Sequence, residues 1–448
     1  MVAATDLLIV GAGAKAAGIA TKVHVLNELG LGPISLRIVE GTERAASWLG
    51  LNGMTSGEEP LAVTPIKDIG FPYQSHYEFG EAGEAIDAGT MGFSWQQYLI
   101  GQRRYARWID AGSPSVRHRD YGEYLTWVFS RATAGVSHVA GRVERIELRE
   151  GEEGWQVEVA ETDRTSRYSG GALVLTGPGV HNAFPHEPEV APRLFHCDSR
   201  RSEFTRLPDG PCDVGIAGGG ESALSCVMFL RGLKPQARFT VYTPMLPMSR
   251  GESFLENRVF SNPDEVQWSD LDLQTRRDFV KHSDRGVFDP PSLGAIAYDD
   301  RVRFLTGRVT DVGAGEGERV RLQYEAPGGP DIGEHEFVVN CTGFDLLAQL
   351  RQLFAAELRA EIERQVGAIW DRPRGSEVPI GRFLELEGLL PRLQIPGLAG
   401  LSQGPGFANL GALGLLSNRV LQPLLLERSG PDGLAAVESL KYKTLLFE

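Results

Sequence analysis

Apolar and polar positions at the start of the chain follow the order strand, turn, helix, strand. The apolar run within residues 5–10 predicts a short buried strand, and the pattern from Ala14 to Leu29 predicts a helix that ends at Gly30. A second strand is expected from Ile34 to Glu40. Strands that alternate with helices are typical of a parallel sheet covered by helices, so the pattern predicts an α/β fold.

The same order of elements recurs near the middle of the chain. A buried strand at 214–217 precedes a second helical pattern, and Arg238–Thr243 predicts the strand that follows it. Each of the two units is matched by a later apolar strand that ends in Thr-Gly, at Thr176-Gly177 and at Thr342-Gly343. The chain therefore contains two copies of one arrangement.

The region between the two units has a mixed pattern. Residues 41–93 are rich in Gly, Pro and Ser and are predicted to be mostly loop, which in a compact domain is usually functional. Helices are expected around Trp95–Tyr105 and Tyr121–Ala132. Alternating segments near 143–149 and 155–160 predict a small antiparallel meander.

Both units place a Gly-x-Gly-x-x-Ala turn between the first strand and the helix. The first Gly allows a tight turn, the second lets backbone approach a pyrophosphate, and the small last residue packs the helix against the strand. The helix N-terminus then offers free N–H groups to the phosphates. We predict cofactor contacts at Gly11, Gly13 and Ala16 in the first turn and at Gly218, Gly220 and Ser222 in the second.

Two dinucleotide turns in one chain predict two Rossmann-like domains that exchange electrons between their cofactors. The second unit ends at the strand before Thr342-Gly343, and we predict that it forms a second domain (205–337) inserted into the first. The first domain then comprises residues 1–204 and 338–448.

The residues after each second strand favour different nucleotides. Glu40 ends the strand where an acid accepts hydrogen bonds from ribose hydroxyls, which suits FAD. The corresponding strand of the second unit ends in Thr243-Pro244, without an acid to repel a 2′-phosphate. Thr243 or Arg250 could contact that phosphate, which favours NADPH, although Arg250 is equally well read as a surface arginine.

Composition excludes several other classes. The net charge of −14, without a basic stripe, argues against a nucleic-acid partner. No apolar run reaches the ~18–20 residues of a membrane span, and the N-terminus lacks the basic leader of a signal peptide. The four cysteines form no Cys-x-x-Cys pair, which argues against a disulfide reductase and gives no metal site, and a reducing cytoplasm is the expected compartment.

Several longer stretches resemble the flavin-dependent N-hydroxylating monooxygenases, and within them the actinobacterial lysine N-hydroxylases of mycobactin and nocobactin assembly. The resemblance runs over nearly the whole chain. Its strongest stretches are GAGAKA (11–16), KDIGFPY (67–73), SWQQYLI (94–100), RGESFLEN (250–257), DRGVF (284–288) and LSQGPGF (401–407).

The resemblance implies roles for three substrate-site residues. Lys67 matches the family lysine that holds the substrate carboxylate, although without the resemblance a surface lysine paired with Asp68 would be the simpler reading. Asn257 matches an asparagine that hydrogen-bonds the α-amino end. Asp284 departs from the family pattern, because the ornithine enzymes have a second asparagine there, near the reacting amine.

The resemblance also implies contacts around the flavin. Trp48 and Met54 match a segment that packs beside the ring. Gly406 leads into a helix that contains Leu415, and its N-terminus would point at the flavin pyrimidine. Residues 409–412 depart from the His-Gly-Leu-Ser-like run of the ornithine enzymes. His196 resembles part of a His-Ser-Ser stretch and is expected in the linker between the domains.

The implied reaction is the N-hydroxylation of L-lysine for hydroxamate siderophores. NADPH reduces FAD, O2 adds to give a C4a-hydroperoxyflavin, and the terminal amine attacks the distal oxygen to yield N6-hydroxylysine. No protein nucleophile is needed, and the sequence offers none. The expected partners are a small amino acid and O2. The oligomeric state stays open, a homo-oligomer included.

Other activities remain open on the sequence alone. The substrate could be ornithine, a diamine or an acylated lysine, although Lys67 speaks against a diamine because a diamine has no carboxylate. A flavoprotein that mostly releases hydrogen peroxide is a further alternative, since Asp284 and residues 409–412 depart from the family pattern.

Overall fold

The computed structural model describes residues 3–52, 55–149, 153–199, 201–251, 254–284, 286–370, 372 and 377–438. Its strands are β1 (Thr5–Val10), β2 (Leu36–Glu40), β3 (Val136–Ala140), β4 (Arg142–Leu148), β5 (Trp155–Ala160), β6 (Thr165–Leu175), β7 (Val180–His181), β8 (Leu194–His196), β9 (Asp213–Ala217), β10 (Arg238–Thr243), β11 (Val302–Thr306), β12 (Arg308–Ala314), β13 (Val320–Ala326), β14 (Gly329–His335), β15 (Phe337–Asn340), β16 (Phe344–Asp345) and β17 (Leu393–Gln394).

The α-helices alternate with strands at the start of each of the two units and otherwise come in runs. They are α1 (Ala14–Glu28), α2 (Ala46–Leu49), α3 (His76–Phe79), α4 (Gly83–Met91), α5 (Trp95–Gly101), α6 (Tyr105–Asp110), α7 (His118–Arg131), α8 (Glu221–Leu233), α9 (Phe254–Ser261), α10 (Leu273–Ser283), α11 (Pro290–Ile296), α12 (Leu346–Leu353), α13 (Ala356–Val366) and α14 (Leu413–Glu438). Short 3₁₀ turns connect several of them.

The first sheet has the strand order β3-β2-β1-β6-β5-β4, with β17 beside β6. Strand β1 is parallel to both β2 and β6, whereas β4, β5 and β6 form an antiparallel meander. Leu7, Leu8 and Ile9 of β1 are completely buried, so both faces of this central parallel strand are packed against other parts of the chain. This sheet and its helices form the largest apolar core of the described residues.

The second sheet has the order β11-β10-β9-β15-β8 and is parallel throughout. It has its own apolar core, and the separate antiparallel sheet β12-β13-β14 packs beside it. Its strands lie in sequence between β6 and β17 of the first sheet. The predicted α/β fold, with two Rossmann-like units and the second inserted into the first, is therefore confirmed.

The domain boundaries at 205 and 337 stay a prediction. Strand β8 precedes residue 205 and pairs with β15, which runs on to Asn340, so the second sheet includes residues from both flanking segments. Among the described residues, no helix combines the length and apolarity needed to cross a membrane.

The segment predicted to be mostly loop, 41–93, contains the nine-residue helix α4. The helix was not predicted from the sequence because it contains two glycines, which lower helix propensity. Both are required by close packing: a Cβ at Gly83 would lie 2.2 Å from the backbone nitrogen of His76, and one at Gly89 would lie 2.6 Å from the side chain of Val25 in α1.

Candidate functional site

The first glycine turn joins β1 to α1 and is shaped by close backbone packing. Gly11 has φ +100°, and a Cβ there would lie 2.3 Å from Oγ1 of Thr176. That hydroxyl donates a hydrogen bond to the carbonyl of Val10 at 3.0 Å. Only glycine fits this turn, because a side chain would be both strained and blocked.

Open space lies in front of the N-terminus of α1. Gly13 is the N-cap residue, and a Cβ there would have no heavy atom within 4 Å, while Ala16 one turn later is completely buried. The carboxylate of Glu40 accepts hydrogen bonds from the N–H of Ala12 at 2.8 Å and from the N–H of Thr42 at 2.9 Å. This end of the helix can hold an anion, and Glu40 lies beside it.

The second turn, between β9 and α8, repeats the first. Gly218 has φ +125°, and a Cβ there would lie 2.3 Å from the carbonyl oxygen of Cys341. A Cβ at Gly219 would lie 2.1 Å from Oγ1 of Thr243, so this buried hydroxyl packs beneath the turn. At Gly220 a Cβ would meet only Gly286, at 3.8 Å.

Next to the second turn, the side chains of Arg250 and Glu221 form an ion pair. Ser222 is partly buried in the first turn of α8. Nη2 of Arg250 donates to Oε1 of Glu221 at 2.7 Å, and only 9% of the Arg250 side chain is exposed, so it is not a surface arginine. Its Nε is buried without a hydrogen-bond partner in the described part of the chain.

The segment Lys67–Tyr73 is held by one buried carboxylate. Asp68 is completely buried and accepts hydrogen bonds from the N–H of Gly70 at 3.0 Å, the N–H of Trp95 at 2.9 Å and the hydroxyl of Tyr73 at 2.8 Å. Burial raises the pKa of Asp68 to about 6. At neutral pH the group is therefore ionised, as the three donors require.

Lys67 and Asn257 lie together, although they are far apart in the sequence. Nζ of Lys67 donates a hydrogen bond to Oδ1 of Asn257, which projects from α9. Both side chains are partly buried. A cation and an amide at one place can bind the carboxylate and the ammonium of an amino acid.

The residues just before α14 and in its first turn pack against both of these elements. A Cβ at Gly406 would lie 2.0 Å from the carbonyl oxygen of Phe260 in α9. Gly414 donates its N–H to the carbonyl of Phe71 at 2.7 Å, and a Cβ there would lie 2.1 Å from the carbonyl oxygen of Gly70. Leu415 is buried in the first core.

The two positions that depart from the family pattern are in contact. Nδ2 of Asn409 donates a hydrogen bond to Oδ1 of Asp284, just after α10, at 2.9 Å. Oδ1 of Asn409 accepts the N–H of Gly411 at 2.7 Å. The carboxylate of Asp284 thus orients the loop that leads into α14.

A chain of contacts connects the two glycine turns. Gly220 lies beside Gly286, Asp284 bonds Asn409, and the neighbouring carbonyl of Ala408 accepts from Nζ of Lys15 at 3.1 Å. Lys15 belongs to the first turn motif. Sequence reasoning had assigned no role to Lys15 or to Asn409, because neither contact is visible before the chain is folded.

Trp48 packs edge-on against His118 and Tyr121, with ring centroids 5.4 and 5.3 Å away. This agrees with a packing position at the margin of the first core. Met54, predicted to lie near it, is outside the described residues.

The contact between Asp284 and Asn409 can be measured by a double-mutant cycle. We expect Asp284→Ala and Asn409→Ala to be coupled by about 1 kcal/mol in the free energy of unfolding, because each removes the same hydrogen bond. Urea unfolding of both single variants and the double variant measures this. Asp272→Ala, at the other end of α10, is the control and should be additive with Asn409→Ala. Additivity of the first pair would contradict the contact.

Comparison with known proteins gives concordant matches. The family model described as L-lysine 6-monooxygenase/L-ornithine 5-monooxygenase matches residues 86–345. An L-lysine N6-monooxygenase of Mycobacterium sp. (strain MCS) is 35% identical over 429 residues, which is 93% of this chain and 94% of the relative. One from Mycobacterium tuberculosis (strain H37Rv) is 35% identical over 422 residues, covering 93% and 94%.

Solved structures agree with these sequence matches. A lysine monooxygenase from Nocardia farcinica has a TM-score of 0.79 and 34% identity, covering 93% of this chain and 98% of its own. An ornithine N-hydroxylase from Kutzneria sp. 744 has a TM-score of 0.72 over 96% of this chain and 100% of its own, but only 17% identity, so it supports the fold alone.

Proposed function

The chain belongs to the L-lysine 6-monooxygenase/L-ornithine 5-monooxygenase family, and we propose that it hydroxylates the side-chain amine of L-lysine to N6-hydroxylysine, using FAD, NADPH and O2, for hydroxamate siderophore biosynthesis. The contact between Lys67 and Asn257 is the observation that carries the proposal. It supplies a carboxylate anchor and an ammonium anchor. The segment that carries Lys67 packs on α1, since a Cβ at Gly18 would lie 3.2 Å from the carbonyl oxygen of Ile69. The relatives at 34–35% identity are lysine enzymes, which favours lysine over ornithine.

Both glycine turns fit a dinucleotide. At Gly13 and at Gly220 a pyrophosphate has room in front of a helix N-terminus. Glu40 suits the unphosphorylated ribose of FAD, whereas the second turn offers Arg250 for a 2′-phosphate. When bound, FAD supplies the redox chemistry, taking a hydride from NADPH and activating O2.

The chain's own task is to bind and orient the amino acid. Lys67 would bind the α-carboxylate by a charge-assisted hydrogen bond, and Oδ1 of Asn257 would accept from the α-ammonium. Both polar groups of the substrate's backbone would then be fixed, which would leave the terminal amine free to react. Asp284 acts as a positioning residue, because its carboxylate is bonded to Asn409.

Buried cysteine thiols support a reducing cytoplasm as the compartment. Cys197, Cys212, Cys226 and Cys341 are all buried and free of disulfide bonds.

Glu221 is expected to restrain NADPH binding above neutral pH. Burial raises the pKa of Glu221 to about 7, and above it the ionised carboxylate pairs with Arg250 and adds negative charge where the cofactor's phosphates would lie. Glu221→Gln should lower the KM for NADPH by about fivefold, since about 1 kcal/mol of repulsion between Glu221 and the phosphates and of competition for Arg250 is removed. Steady-state kinetics with NADPH and NADH measure this. Glu325→Gln, which removes an exposed carboxylate from β13, is the control. An unchanged or higher KM in Glu221→Gln would contradict the expectation.

The proposed reaction is tested by NADPH oxidation in air with FAD-loaded protein, assaying hydroxylamine and hydrogen peroxide together. Lysine, ornithine and cadaverine are compared. Hydroxylamine is expected with lysine, at a kcat/KM well above that with the other two amines. A preference for ornithine would show that lysine is not the substrate, while the type of reaction would still be amine hydroxylation. Formation of hydrogen peroxide alone with every amine would overturn the proposal.

A further inference from the structure

Two histidines lie where the chain passes between the two sheets. His181 is in β7 and pairs with Phe344 of β16, whereas His196 is in β8 and pairs with Asn340 of β15. The two imidazole rings are stacked, with centroids 3.5 Å apart and planes inclined by 21°. Segments on both connections between the sheets therefore meet at these rings.

Carboxylates flank the stacked rings. Glu187, in the loop between β7 and β8, places Oε1 2.6 Å from Nε2 of His196, and Oδ1 of Asp198 lies 3.5 Å from Nδ1 of His181. Three potential metal-ligand atoms lie within 4.8 Å of one another, one each from His181, Glu187 and His196. The three side chains are only 13–36% exposed.

Hydrogen bonds among the described residues do not satisfy every ring nitrogen of this cluster of histidines and carboxylates. Nδ1 of His196 is buried and has no hydrogen-bond partner among the described residues. A buried ring nitrogen without a partner has lost its hydrogen bond to water and gained none in return, so the arrangement would gain from a further ligand. Asp198 in turn can hold the ring of His181 in one orientation, as a carboxylate does behind a metal-bound histidine.

We propose that His181, Glu187 and His196 bind a divalent transition-metal ion, with Zn²⁺ as the best match in ligand type. Two imidazoles and one carboxylate are a common zinc ligand set and leave a fourth position for water. Ligand atoms around tetrahedral zinc stand about 3.4 Å apart, so metal binding would require the two stacked rings to turn until their nitrogens and the Glu187 carboxylate converge on one point. A bound ion would fasten β7 to β8 and limit movement of one sheet relative to the other.

The test is a metal titration of the full-length, FAD-loaded protein, freed of affinity tags and of adventitious metal. Calorimetry with Zn²⁺ is expected to show one equivalent bound, and Co²⁺ to give visible d–d bands at wavelengths beyond the flavin absorption. His181→Asn and Glu187→Gln should each weaken binding by about 100-fold or more, because even outer partners of a metal ligand are worth about 10–100-fold.

The matched control is His186→Asn. His186 is an exposed histidine of the same loop that pairs with Asp311, and its loss should leave Zn²⁺ affinity unchanged. Thermal unfolding of each variant without metal confirms folding, and the conservative Glu187→Gln serves if His181→Asn is unstable. No saturable binding, equal affinity in Glu187→Gln and wild type, or equal loss in His186→Asn would each overturn the proposal.

Discussion

Replacing Lys67 by alanine is expected to lower kcat/KM for L-lysine by about 100-fold, mainly through a higher KM. Lys67 is a partly buried cation bonded to Asn257, and its ammonium would pair with the substrate carboxylate. Loss of one partner from such a charge pair costs about 2–5 kcal/mol, and about 3 kcal/mol corresponds to the stated factor. Hydroxylamine formation at varied lysine concentration measures it.

The choice of substrate separates carboxylate binding from a general defect. Cadaverine lacks the carboxylate, so Lys67→Ala should leave its turnover, however slow, unchanged. FAD content should also match wild type, because Lys67 belongs to neither glycine turn. Lys281→Ala, on α10, is the control for removing a lysine elsewhere. An equal loss with lysine and cadaverine would refute the assigned role of Lys67.

The local pattern of apolar and polar residues was sufficient to predict the main strands and the first helix of the two nucleotide-binding units. The strand predicted at 5–10 coincides with β1, and the one predicted at Arg238–Thr243 coincides with β10. The helix predicted to begin at Ala14 does begin there. These strands and this helix have a regular pattern of buried apolar residues, and glycine turns with positive φ lie at their ends. Their positions therefore depend on residues that are close in sequence.

The site contacts could not be predicted in the same way, because they depend on how distant elements pack. Lys67 meets Asn257 across 190 residues, and Asp284 meets Asn409 across 125. The sequence marked Lys67, Asn257 and Asp284 as candidates through resemblance, but it gave no distances. No metal site was expected because the four cysteines form no Cys-x-x-Cys pair, and the stacked pair His181 and His196 has no short-motif spacing that would have pointed to one.

Replacing Gly414 by alanine is expected to destabilise the protein and damage the substrate site together. In an open helix, Gly→Ala stabilises by about 1 kcal/mol. At Gly414 the added Cβ would lie 2.1 Å from the carbonyl oxygen of Gly70 and 2.8 Å from that of Phe71, both backbone atoms of the Lys67–Tyr73 segment. To relieve this steric clash, α14 and the Lys67–Tyr73 segment must move apart, which we expect to lower the free energy of unfolding by about 3 kcal/mol.

Two measurements on FAD-loaded protein check this. The midpoint of thermal unfolding should fall by about 5 °C, and the KM for lysine should rise because Lys67 moves with its segment. Gly232→Ala is the matched control, since Gly232 also lies in a helix, α8, and a Cβ there meets nothing within 4 Å. That variant should be as stable as wild type or more so. If Gly414→Ala behaved like Gly232→Ala, α14 and the Lys67–Tyr73 segment would not be in the contact on which the substrate site depends.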